Sequence, residues 1–209
     1  MPWHDEVLAG DQRRAIDAAA SVLGGRGAAL AGGLALAWRF GHRRSRDMDW
    51  FLPPGADGLE LAAELARHGV QVDQAESGTV LGRWLGVPFS LIRYRYRLER
   101  EASAPVPMVD LRTALGMKLL AVVNRGTRRD LIDVAVCLEQ GTGLGTMLDW
   151  AVTDVPGLTV PTLLRCLAYH DEAAHEPDPE GLAADGWRQA SARLLAAVRQ
   201  QVREGEVPR

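Results

Sequence analysis

The sequence has 209 residues, which is enough for one generous domain or two small ones with a substantial buried core. Its hydrophobic fraction of 47% and charged fraction of 24% are those of an ordinary globular protein. The net charge of -3 excludes a generally cationic coat for nucleic acid, so any basic surface must be local.

Membrane and secretion signals are missing from the sequence. The longest apolar stretch, around residues 28–38, is too short to span a membrane and contains two glycines, and the N-terminus lacks a signal-peptide pattern. Cys137 and Cys166 lie in apolar helical patterns without metal-ligand spacing, which favours free thiols in a reducing compartment. We therefore expect a cytoplasmic protein with no membrane partner.

Short helical and strand patterns alternate over the first half of the chain. The order predicts an α/β fold with a small sheet: a helix at 11–24, a strand at 28–31, a helix at 33–40, a strand at 46–51, a helix at 57–68, and strands at 70–75, 79–84 and 87–94.

The second half reads as helical throughout. The Pro-rich stretch ASAPVPMVD, residues 102–110, leads into helical patterns at 110–125, 128–140, 144–152, 160–170 and 186–202. We predict an α/β core over residues 1–105 and a helical C-terminal domain over residues 106–209.

Two aspartates fall on the strand predicted at 46–51. Side chains two apart on a strand point the same way, so Asp47, Asp49 and Phe51 share one face. Converging carboxylates repel and favour a bound cation, and Mg²⁺ prefers one or two carboxylates with water and phosphate oxygens. The alternative is an exposed pair neutralised by Arg44 and Arg46.

A glycine pair precedes this strand. Gly32 and Gly33 follow a strand and open a helix, so bare backbone N–H groups would meet at a helix N-terminus, where a phosphate binds well. A plain tight turn is the alternative. A phosphate cradle beside an acidic pair is more specific than either feature alone.

Basic residues connect the glycine pair to the acidic pair. The cluster could contact phosphates or a nucleic-acid backbone, or it could be a solvated turn that balances the aspartates; its members are Arg39, His42, Arg43, Arg44 and Arg46.

Lys118 lies in the middle of an apolar helical face. Leu111, Leu115 and Val122 share that face, so a lysine there needs an anion, and Arg125 returns to nearly the same face to help hold a triphosphate. Alternatively, Lys118 extends to solvent along its aliphatic stem.

The next helix begins with a capping pattern. Thr127 and Asp130 have capping-box spacing, so Asp130 is either a cap or a site residue, and Asp133 reads as a surface residue.

Several motifs together resemble the AbiEii/AbiGii-type nucleotidyltransferases, which are often toxins of toxin–antitoxin and phage-defence systems. Family members carry a glycine pair, a segment like HRRSRDMDWF (42–51), and a helical segment like ALGMKLLAVVNRGTRRDLIDVAVCL (114–138). FSLIRYRYRLE (89–99) and LAYHDEAAHEPDP (167–179) resemble further family segments. The resemblance spans most of residues 28–190.

This resemblance implies a nucleotidyltransferase-like small mixed β-sheet flanked by helices, with a C-terminal helical bundle that completes a nucleotide cleft. It implies nucleotidyl transfer from an NTP to a hydroxyl acceptor, with tRNA as the acceptor suggested by several relatives and an antitoxin protein as a partner. The implied catalytic residues are Asp47 and Asp49, which are also the Mg²⁺ ligands, together with Lys118 and Asp130. The implied nucleotide-binding residues are Gly32, Gly33, Ser45, Lys118 and Arg125.

Two departures from the family pattern raise the alternative of a degenerate member that binds a nucleotide or a partner protein without turnover. Leu34 replaces the hydroxyl residue that usually follows the glycines, so Leu34→Ser is expected to strengthen NTP binding. A third carboxylate is missing from the strand at 87–94, where only Ser90 and Arg93 are polar. Asp73 should face solvent, which leaves Asp130 as the remaining candidate for a base.

Overall fold

A computed structural model describes residues 3–55 and 57–206. The chain divides into two compact units, Met1–Ala114 and Leu115–Arg209. Among the described residues, the first unit contains the five strands and the second is helical.

The first unit is an α/β fold built on one mixed sheet. The strand order is β1-β2-β5-β4-β3; β2 and β5 are parallel, and the other neighbouring pairs are antiparallel. The predicted α/β class with a small mixed sheet is confirmed. In chain order the elements are α1 (Gly10–Leu23), β1 (Ala29–Leu30), α2 (Gly32–Phe40), β2 (Met48–Leu52), α3 (Gly58–Arg67), β3 (Val70–Glu76), β4 (Thr79–Trp84) and β5 (Val87–Arg93), with short 3₁₀ turns at Asp5–Val7 and Gly24–Arg26.

Alternating burial fixes which face of β2 meets the core. Met48, Trp50 and Leu52 are buried, whereas Asp49 and Phe51 between them are half-buried, as the period of two predicts. A one-residue slip would put Asp49 into the core and Trp50 outside it, so the apolar residues hold the register that places Asp49.

The helical unit follows within a few residues the elements predicted from the sequence. Thr127 caps α5 by accepting a hydrogen bond from the Asp130 N–H, and Thr159 caps α7 in the same way from the Thr162 N–H. Helix α8 packs against α5 and α7. The elements are α4 (Leu111–Asn124), which begins in the first unit, α5 (Arg128–Glu139), α6 (Leu144–Asp154), α7 (Val160–Ala168), a 3₁₀ turn (Ala173–His175) and α8 (Gly186–Glu206).

Within the described ranges, no helix combines the length and apolar character that a membrane crossing requires. Cys137 is buried and Cys166 is half-buried, and both are free thiols.

Candidate active site

Asp49 lies at the centre of a polar cluster in the first unit. It is paired in register with Ser90 on the parallel strand β5, and the Ser90 hydroxyl donates a hydrogen bond to Asp49 Oδ1 at 2.6 Å. The other oxygen, Oδ2, faces the first residue of α2, because a Cβ added to Gly32 would overlap it and would lie 3.1 Å from Asp49 Cβ and Cγ. The carboxylate is therefore held between β5 and the start of α2.

The glycine pair is required here by both conformation and space. Gly32 has a φ of +66°, which side chains rarely adopt, and it leaves the space that Asp49 fills. A Cβ on Gly33 would overlap Arg43 Nη2 and lie 3.2 Å from Ser45 Oγ. The backbone at the start of α2 thus meets a carboxylate, a guanidinium and a hydroxyl.

Arg43 is the member of the basic cluster that the structure singles out. Only 3% of it is exposed, and its Nη1 donates to the Arg44 carbonyl at 2.9 Å. Arg39, by contrast, bonds to Glu101 and the Val109 carbonyl and stacks on Trp3. The basic cluster predicted from the sequence is therefore divided: Arg43 lies against Gly33, whereas Arg39 contacts Glu101, Val109 and Trp3.

Asp47 and Leu34 have different surroundings from Asp49. Asp47 is exposed and comes immediately before β2, so its pairing with Asp49 at a metal stays a prediction. Leu34 is fully buried in the core. The expectation that Leu34→Ser would strengthen NTP binding is wrong on this geometry, because the new hydroxyl would lie in apolar packing.

No third carboxylate joins Asp49 from the neighbouring strand, where the register puts Ser90 beside it. Asp73 is exposed, as expected, and lies at an irregularity of β3 between Val72 and Gln74. Across residues 3–55 and 57–206, no set of three or more His, Cys, Asp or Glu side chains could hold a metal ion. A cation at Asp49 would therefore depend on one or two carboxylates, with water and phosphate completing its shell.

A second cluster lies in the helical unit around Lys118. Its Nζ lies 2.9 Å from Asp130 Oδ1 and 2.9 Å from Asp133 Oδ2, and only 6% of the lysine is exposed. The alternative that Lys118 extends to solvent is wrong. The interpretation of Asp133 as a surface residue is also wrong, since Asp133 is fully buried as the second anion that the lysine needs.

Asp130 connects this buried lysine to an exposed arginine. It accepts hydrogen bonds from Arg125 Nε at 2.8 Å and Nη2 at 3.1 Å, and from the Thr127 hydroxyl at 2.7 Å. The Arg125 side chain is 62% exposed, while Asp130 itself is 1% exposed. Two cations and two carboxylates thus balance in charge, and one edge of Arg125 is fixed.

The ionisation of this cluster follows from its contacts. Burial raises the pKa of Asp130, but the Arg125 hydrogen bond, the Lys118 charge and the Thr127 hydroxyl outweigh burial and lower that pKa to about 2. Burial likewise opposes the charge of Lys118, yet Asp133 and Asp130 raise the pKa of Lys118 above its usual value. Because its pKa is so low, Asp130 is a weak proton acceptor at neutral pH. Its hydrogen bonds suit it instead to fixing the positions of Arg125 and Lys118.

Residues 79–202 match the family described as nucleotidyl transferase AbiEii toxin, type IV toxin–antitoxin system. The chain belongs to the AbiEii nucleotidyltransferase toxin family. The matched segment covers more than half of the chain and includes Ser90, Lys118, Arg125 and Asp130. The resemblance found in the motifs is confirmed, and the protein is a nucleotidyltransferase of this toxin family.

Two individual proteins extend this comparison. An uncharacterized protein of Aquifex aeolicus (strain VF5) is 25% identical over 155 residues, which cover 70% of this chain and 75% of the relative. MenT4, a nucleotidyltransferase toxin from Mycobacterium tuberculosis H37Rv, superposes with a TM-score of 0.58 at 17% identity, covering 90% of this chain and 82% of MenT4. At that identity the likeness to MenT4 shows a common fold.

Proposed function

We propose that this AbiEii-family protein is a Mg²⁺-dependent toxin that transfers a nucleotidyl group from an NTP to a hydroxyl acceptor on RNA, with tRNA as the first candidate. The observation that carries the proposal is the position of Asp49, whose carboxylate lies against Gly32 at the start of α2. A metal-binding oxygen and a phosphate-binding helix N-terminus are thereby adjacent.

The donor set at Asp49 suits a hard cation. Asp49 and the exposed Asp47 would supply carboxylate oxygens, and Ser90 keeps one Asp49 oxygen oriented through its 2.6 Å hydrogen bond. Bound Mg²⁺ would supply charge neutralisation and phosphoryl polarisation, which are the main needs of such a transfer.

The residues around the glycine pair would bind the triphosphate. Backbone N–H groups at Gly32 and Gly33 and the hydroxyl of Ser45 can donate to phosphate oxygens. Arg43 adds a buried positive charge next to Gly33, where it could bind a phosphate. Its guanidinium binds phosphate more strongly than a neutral hydroxyl does.

Within the Lys118 cluster, Arg125 can contact a nucleotide because most of its side chain is exposed. Asp130 orients Arg125, and Lys118 with Asp133 keeps Asp130 ionised and in place. Lys118, Arg125 and Asp130 therefore keep their proposed part in nucleotide binding, with Lys118 and Asp130 acting through Arg125.

The setting of the reaction follows from the family. A toxin of a type IV toxin–antitoxin system suggests an antitoxin partner, and we propose that this protein acts in phage defence. The two free cysteines suit a reducing compartment, so we place the protein in the cytoplasm.

The experiment is incubation of the purified protein with each α-³²P-labelled NTP, Mg²⁺ and total tRNA, followed by separation of RNA and protein on denaturing gels. We expect label on RNA from at least one NTP, and none when EDTA removes the metal. Label on the protein instead of RNA would reject RNA as the acceptor, and labelling that persists in EDTA would reject the metal dependence.

A nucleotide-binding protein without turnover is the second candidate function. Ser90 favours it, because a hydroxyl stands where a third carboxylate would serve as a base. NTP binding with no transfer to RNA or protein in the same incubation would support this candidate.

A further inference from the structure

A cavity of about 350 Å³ opens in the helical unit beside the end of α4 and α7. We name it the Tyr169 pocket, and its polar lining includes Asn124, Arg125, Arg165, Tyr169 and Glu172. Ligand pockets range over about 300–1,000 Å³, so this cavity suits one small unit such as a single nucleotide.

Tyr169 and Arg165 offer unused contacts to a ligand. Tyr169 is 54% exposed, and Arg165 is exposed one helical turn earlier. Within the described ranges, neither side chain makes a hydrogen bond or an ion pair. An aromatic ring and a guanidinium that are both open to solvent therefore line the same pocket.

Arg125 contributes a second guanidinium whose direction is fixed. Its Nε and Nη2 are both bound to Asp130, which leaves the exposed remainder of the side chain on the pocket wall. The lining therefore carries two cations against one anion, Glu172. A fixed cation loses little entropy when it binds an anionic ligand.

We propose that the Tyr169 pocket binds one nucleotide unit, with its base stacked on Tyr169 and its phosphate bound by Arg125 and Arg165. A flat aromatic face and guanidinium groups are the two contacts that a nucleotide needs. The inference rests on the proposed function, which supplies two sources of this chemistry: a free NTP or one residue of an RNA strand.

Binding measurements without turnover test the pocket. Anisotropy of a fluorescent ATP analogue and of a labelled ten-nucleotide single-stranded RNA would be followed in EDTA, using Tyr169→Ala and Arg165→Ala. We expect Tyr169→Ala to weaken binding of one of these ligands about tenfold, since base stacking on an aromatic ring carries a large share of single-strand affinity. Arg165→Ala should weaken the same ligand severalfold.

Two variants serve as matched controls. Tyr169→Phe keeps the stacking ring and should bind within twofold of the wild type. Arg199→Ala removes an exposed arginine of α8 outside this pocket and should leave binding unchanged. Thermal melting of every variant would check that its fold is intact.

The pattern of losses identifies the source of the nucleotide. Weaker binding of the ATP analogue alone assigns the pocket to the NTP, and weaker binding of the RNA alone assigns it to the acceptor strand. Unchanged binding of both ligands by Tyr169→Ala and Arg165→Ala, or no binding of either ligand by the wild type, overturns the inference.

The binding and transfer experiments together distinguish an error in the pocket inference from an error in the proposed function. If the wild type transfers label while Tyr169→Ala binds both ligands normally, the pocket inference is wrong and the enzyme assignment stands. If Tyr169→Ala loses a ligand that the wild type binds, yet the wild type never transfers label, the pocket stands and the proposed reaction is wrong.

Discussion

Replacing Gly32 by alanine tests whether the start of α2 was left bare to accommodate Asp49. The substitution has two separate costs. A φ of +66° disfavours any residue with a Cβ by about 1–2 kcal/mol. In addition, the new Cβ would overlap Asp49 Oδ2, so the carboxylate must move away from α2 and from Ser90.

The cost of displacing the Asp49 carboxylate can be estimated from the hydrogen bond that is lost. The hydrogen bond from Ser90 to the Asp49 carboxylate is charge-assisted, and such a bond contributes about 1.5–3 kcal/mol. Gly32→Ala should therefore lower the free energy of unfolding by about 2.5–5 kcal/mol, and it should abolish nucleotidyl transfer because Asp49 is displaced.

Gly69→Ala is the matched control for backbone strain. Gly69 has a φ of +85°, and no heavy atom lies within 4 Å of a Cβ built on it. Urea denaturation should show a loss of only about 1–2 kcal/mol for Gly69→Ala, with full transfer activity. Equal losses of stability in the two variants, or full activity in Gly32→Ala, would refute the argument that Gly32 makes room for Asp49.

Substitutions at three further positions probe the core and the two clusters. Leu34→Ser should destabilise the fold by about 3–5 kcal/mol in urea denaturation, whereas Leu34→Met should cost less than about 1.5 kcal/mol; equal stability of the two would contradict core packing. Ser90→Ala should weaken Mn²⁺ binding about tenfold by calorimetry without nucleotide, and unchanged affinity would remove Ser90 from the site. The pKa of Asp130 is lowered to about 2, so its contribution of about 2 kcal/mol is complete above the unfolded pKa of about 3.9 and is lost as pH falls toward 2. The stability difference between wild type and Asp130→Asn should therefore shrink from pH 6 to pH 2.5, and a constant difference would contradict the ionised network.

Local patterns in the sequence predicted most of the fold and the setting of Asp49. The period-two alternation of β2 needs no tertiary information, because Met48 and Trp50 must be buried together and Asp49 must then face the other way. The glycine pair likewise predicts the start of a helix with backbone N–H groups that can bind a ligand, and α2 begins at Gly32.

Side-chain partners across elements could not be read in the same way. Lys118 on an apolar face indicated a buried anion, but two carboxylates on α5 satisfy it, and Asp133 could be recognised only by noticing that it lies three residues after Asp130 on one helical face. Whether the Leu34 side chain points into the core or toward a ligand depends on how α2 packs on the sheet. The Tyr169 pocket depends on how the end of α4 meets α7, which no local pattern contains.

The most direct test of the central claim is the initial rate of α-³²P-nucleotide transfer by wild type, Asp49→Asn and Asp73→Asn at equal protein concentration. Asp49→Asn keeps the shape of the side chain and removes the charge that would hold Mg²⁺, while Asp73→Asn removes an exposed carboxylate of β3. We predict transfer by wild type and Asp73→Asn and none by Asp49→Asn, with all three proteins folded. Transfer by Asp49→Asn at the wild-type rate would contradict the assignment of Asp49 as the metal-binding centre of the enzyme.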